Sequence, residues 1–63
     1  MITYRDQLAE LNRERKMRER VYARFIADGK LTADEAHRRN DRLDAAITTL
    51  EFLVREHEPQ LPL

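Results

Sequence analysis

No cysteine, no tryptophan and a single glycine occur in these 63 residues. Without cysteine there are no disulfides and no thiolate metal sites, a pattern that suits a reducing compartment. His37 and His57 stand too far apart in sequence to make a local metal pair. No apolar run approaches the ~20 residues of a membrane span. The start, Met1-Ile2-Thr3-Tyr4-Arg5, lacks the apolar core of a secretion signal, so the expected location is the cytoplasm. An excess of charge is missing too: twelve basic and twelve acidic residues cancel, leaving no global field to draw the chain to nucleic acid or a membrane. There is no Ser/His/Asp arrangement, no phosphate-binding glycine loop and no zinc spacing, so no enzyme, cofactor or metal is expected.

The lack of turn residues dictates the organisation. Thr3 with Asp6 three positions on makes a capping box with Asp in the Glu place, and helix formers then run unbroken to Ala27. Asp28-Gly29-Lys30 stops that helix, because glycine enters the left-handed conformation without steric cost. Thr32 with Glu35 opens a second helix, which continues to about Glu58, where Pro59 ends it and the tail 60–63 extends. The expectation is one domain, 1–63, all-α: an antiparallel two-helix hairpin over about 3–28 and 32–58.

A chain this short buries little apolar surface by itself. With disulfides and metal excluded, oligomerisation is the remaining remedy, so the hairpin is expected to assemble into a helical-bundle homo-oligomer. The charges are split: residues 1–27 hold seven basic and four acidic groups, residues 28–63 five and eight. Opposite signs favour antiparallel docking and leave a basic stretch from Arg13 to Arg24, either a solvated face or an anion-binding one.

Helical periodicity puts Tyr4, Leu8, Leu11, Tyr22, Phe25 and Ile26 on one side of the first helix, with Val21 at its margin. On the second, Ala36, Leu43, Ala46, Ile47, Leu50, Leu53 and Val54 form a wider stripe. Folding about Gly29 sets Phe25 near Ala36, Tyr22 near Arg38 and Arg39, Leu11 near Leu50 and Leu8 near Leu53. Phe52 projects off the stripe, which suggests a second contact surface.

Arg15 and Arg18 interrupt the first stripe where apolar residues belong, and arginine is seldom buried unmatched. In one reading Arg15 pairs with Asp44 and Arg18 reaches Asn40 or Asp44, fixing the register. In the other, arginines from several copies line an opening for an anion, since guanidinium donors match two phosphate oxygens at once. Tyr22, one turn beyond Arg18, offers a ring that stacks on a base. The candidate ligand residues are Arg15, Arg18, Tyr22, Arg38 and Arg39. His37 with Asp41 reads as a surface ion pair rather than half of a metal site. Glu51, His57 and Glu58 read as a solvated helix end.

The stretch from Met17 to Ala36, with Met17-Arg18, Val21-Tyr22, a helix end at Gly29-Lys30 and a restart ending in Glu35-Ala36, resembles a group of short helical-hairpin proteins of bacteriophages and prophages. Arg39 matches a further basic position. Where that group often has Pro after the Tyr, this chain has Ala23. The resemblance covers about half the chain and implies the hairpin and the cytoplasm of a bacterial host. By analogy of size, helicity and basic interface alone, some small phage proteins of this shape are sponges that sequester nucleotide immune signals between subunits. That analogy implies an anti-defence protein holding a cyclic nucleotide or an ADP-ribose-type ligand. The alternatives are a module that docks a host or phage protein through a helix face, and a nucleic-acid binder, which zero net charge and the acidic second helix disfavour.

Overall fold

The computed structural model describes residues 1–57, which form two helices, α1 (Tyr4–Ala27) and α2 (Ala33–His57), packed against each other as a hairpin. No strand occurs among the described residues. The expected stop at Pro59 and the extended tail lie outside them. The hairpin is elongated, 49 × 24 × 16 Å.

Both ends of α1 are closed by the bonds its sequence calls for. Thr3 Oγ1 accepts from the Asp6 amide at 3.0 Å and Asp6 Oδ2 accepts from the Thr3 amide at 3.1 Å, a complete capping box. At the other end Gly29 has φ +73°. The Lys30 amide reaches the Phe25 carbonyl at 2.8 Å and the Gly29 amide the Ile26 carbonyl at 3.1 Å, the paired bonds of a Schellman ending. Helix α2 opens on half a box: Thr32 Oγ1 accepts from the Glu35 amide at 3.0 Å.

The core is thin. Among the described residues only Leu31, Ala36 and Leu43 are buried. Leu8, Leu11, Val21, Tyr22, Ala46, Ile47, Leu50, Leu53 and Val54 are half-buried, as expected of a stripe covered from one side. Tyr4, Phe25 and Ile26 belong to the same α1 stripe yet stay 37%, 36% and 39% exposed. All three lie in the first or last turn of α1, while the half-buried members of the stripe lie further in.

Leu31 falls outside both periodic stripes, and helical spacing does not select it. It directly precedes the Thr32 cap, with Ala36 at the fourth helical position. These are the two places a hydrophobic staple joins, and both are 6% exposed. The staple pattern is the signal that picks Leu31 out.

Candidate functional site

The seam between the helices is polar at its middle. Arg15 Nε donates to Asp44 Oδ1 at 2.8 Å across the hairpin. That hydrogen bond raises the Arg15 guanidinium above its ordinary value; slight desolvation opposes it, and the charges of Asp44, Glu19 and Asp41 add to the rise. The side chains are 33% and 51% exposed, so water screens the pair.

Arg18 takes a different course from the one spacing suggests. It reaches neither Asn40 nor Asp44. Its Nη1 donates to the Arg39 carbonyl at 3.1 Å, its Nε lies 3.5 Å from Glu14 Oε2 one turn back, and its guanidinium carbon sits 5.4 Å from the centre of the Tyr22 ring. The Tyr22 face and the carbonyl together hold the cation against helix α2, and its side chain is only 22% exposed. Asn40 Oδ1 is left buried without a hydrogen-bond partner.

Arg38 and Arg39 face elsewhere. Arg38 pairs with Asp34 on its own helix. The side chains of Arg38 and Arg39, with Glu35 and Arg42, line a shallow cleft of about 210 Å³. Arg39 and Arg42 form no ion pair among the described residues. Helical spacing had not singled out Arg42, although it lies one turn beyond Arg38. The five sequence candidates therefore fall into two groups: Arg15, Arg18 and Tyr22 in the seam, and Arg38 and Arg39 on the outer side of α2. Among the described residues the link between the groups is the Arg39 backbone carbonyl.

The seam is internally neutralised. For a phosphate to take both Arg15 and Arg18, Asp44 and Glu14 would have to release them. The outer cleft carries unpaired positive charge but is open to water.

Two apolar features sit beside these charges. Ile2, Leu11 and Leu50, edged by Asp6, Gln7 and Glu10, line an open groove of about 620 Å³ at the far end from the turn. Phe52 is 53% exposed on α2 and Met17 46% exposed on α1. At the same far end the Tyr4 and His57 rings lie 5.6 Å apart, which ties the start of α1 to the end of α2. His37 and Asp41 form a surface pair at 3.3 Å, as their spacing suggests. Among the described residues no group of three or more His, Asp or Glu has metal-site geometry. No helix among them is long and apolar enough to cross a membrane.

Comparison with protein-family models, with curated proteins and with solved structures returns no match to this chain.

Proposed function

We propose that this chain is a non-catalytic helical interaction module that works as an assembly of its own copies and offers helix faces to a host or phage protein. The observation that carries the reading is the mismatch, among the described residues, between a core of three buried side chains and seven large apolar ones, Met1, Ile2, Tyr4, Met17, Phe25, Ile26 and Phe52, left more than a third exposed. Surface of that kind on so small a chain is covered when a second chain docks. Light scattering coupled to size-exclusion chromatography tests the first half of the proposal. A multiple of the chain mass at micromolar concentration is expected. A well-folded monomer across the accessible concentration range would remove it. The partner half is tested by affinity capture from a bacterial host, where one stoichiometric protein partner is expected.

A second reading is favoured by the unpaired guanidiniums of Arg39 and Arg42 and by the Arg18–Tyr22 stack. In an assembly these groups would bind an anionic nucleotide signal between copies, an anti-defence role in the cytoplasm of a bacterial host. Each charge-assisted hydrogen bond in a partly dry pocket would contribute roughly 1.5–3 kcal/mol. Titration calorimetry with cyclic di- and trinucleotides and cyclic ADP-ribose isomers decides it. Absence of heat with every member of the panel ends that reading.

A further inference from the structure

We infer that the outward side of α1 is a self-docking surface, and that its occupant is α1 of a second copy running antiparallel. The inference rests on the self-assembly proposed above and names one face that takes part in it, the one that carries Met17.

Positions 6, 10, 13, 17, 20 and 24 advance by alternating steps of four and three, so they form a single stripe along α1. They are occupied by Asp6, Glu10, Arg13, Met17, Arg20 and Arg24. Read from the N-terminal end, the stripe is negative, negative, positive, neutral, positive, positive. It runs parallel to the buried stripe, offset from it, and every one of its residues is exposed.

Such a sequence of charges distinguishes the two ways of pairing with itself. A parallel copy would set like charge against like along the whole length. An antiparallel copy, turned about a two-fold axis near the middle of the stripe, sets Asp6 against Arg24, Glu10 against Arg20 and Arg13 against Met17. Each of these contacts occurs twice, as two-fold symmetry requires. At the centre the aliphatic stem of Arg13 lies over Met17, the 46%-exposed side chain on this face.

The neighbouring relief fits the same arrangement. The apolar groove of Ile2, Leu11 and Leu50 is edged by Asp6 and Glu10, so it favours an occupant that brings apolar stem and positive charge together. Arg20 and Arg24 of the second copy meet that description, and neither forms an ion pair among the described residues. Among the described residues Glu10 is engaged only by Arg13 one turn on, at 2.6 Å, in a pair 65–77% exposed to water. A pair that exposed yields readily to an intermolecular partner.

The test is charge reversal with complementation, using the full chain and sedimentation equilibrium. Glu10→Lys and Arg20→Glu, each alone, put like charges opposite one another twice per dimer. Each is expected to weaken self-association by about tenfold or more at low salt. Mixing the two variants restores opposite charges at both sites, one native and one with its signs exchanged, and is expected to give a mixed dimer tighter than either variant alone. Circular dichroism on the same samples covers the case in which a lone variant loses its fold, because helicity then returns on mixing. If the parent chain associates while the variants associate equally well and mixing changes nothing, the face is wrong and assembly itself stands. If the parent chain is a folded monomer at every concentration, both ideas fall together.

Discussion

Arg15 and Asp44 form the kind of pair whose removal in halves and as a whole has opposite consequences. Taking away Asp44 leaves a partly shielded guanidinium without its acceptor, whereas replacing both partners removes the desolvation cost along with the bond. Because the carboxylate is half exposed, solvent screening reduces the effect. Asp44→Ala is expected to cost about 0.5–1 kcal/mol, and Arg15→Leu with Asp44→Leu to gain about 1 kcal/mol over the parent chain. Urea unfolding followed by circular dichroism at one fixed chain concentration measures both, and equal destabilisation by the single and double changes would contradict the account. The pH sign follows from the same bond. Folding raises the Arg15 guanidinium, so its contribution is complete throughout the neutral range and is lost only as pH rises past the ordinary arginine value.

Asn40 is the other polar residue at this seam, and its buried Oδ1 lacks a partner. A polar residue kept among apolar ones weakens packing and restricts the alternatives the helices can adopt. Asn40→Leu is therefore expected to raise stability by about 1–2 kcal/mol while loosening the register. The check is the Arg15–Asp44 coupling energy from a double-mutant cycle in the Asn40→Leu background, which should fall toward zero. The sequence shows that Arg15 and Arg18 break an apolar stripe and shows a carboxylate facing Arg15. It does not show where Arg18 goes. A long side chain with five donors has a neighbouring carboxylate, a tyrosine face and a backbone carbonyl within reach, and residue spacing alone does not rank them.

At the scale of the helices, the boundaries are legible because each is made by a short-range rule. Thr3, Asp6, Gly29 and Thr32 announce their roles within three or four residues, and each forms the bond its position implies. The antiparallel register is legible for a different reason: with one turn and two uninterrupted helices, little freedom remains in how the stripes meet. The Arg15–Asp44 bond and the Tyr4–His57 ring contact both fit that alignment. Leu31 shows the opposite case, a core residue contributed by the connection, where neither helix's periodicity applies.

Gly29 offers the cleanest measurement of these local rules. Its φ of +73° lies in the left-handed region, and a methyl group placed on it would meet no atom within 4 Å. Gly29→Ala therefore tests backbone conformation with no packing change mixed in. The expected cost is about 1–2 kcal/mol. For a chain near this size each kcal/mol corresponds to a melting-temperature drop of about 4–8 °C. An unchanged melting temperature would mean that the left-handed turn is not what ends α1. Thr3→Ala should cost about 1 kcal/mol by removing one side of a complete box, and Thr32→Ala somewhat less, because its box is half formed.

For the molecule as a whole, the thin core and the exposed side chains make opposite demands that the proposed association would resolve. Among the described residues Leu31, Ala36 and Leu43 are the buried apolar side chains, set against the conformational freedom lost in ordering two helices of 24 and 25 residues. No periodicity in a single chain reveals what covers the remaining surface, since copies of the chain and other partners present apolar stripes of the same spacing. Linkage distinguishes coupled folding and assembly from independent folding, because whatever binds only the folded state raises its apparent stability by mass action. If the folded species is a dimer, each tenfold rise in chain concentration shifts the unfolding free energy per dimer by about 1.4 kcal/mol. With an unfolding entropy near 2.1 cal/mol/K per residue, the melting temperature should then climb by about 5 °C per tenfold rise in concentration. Thermal melts followed at 222 nm over two decades of concentration provide the measurement. A midpoint that stays fixed across that range would show that the hairpin folds alone and that its exposed apolar side chains are not what stabilises it.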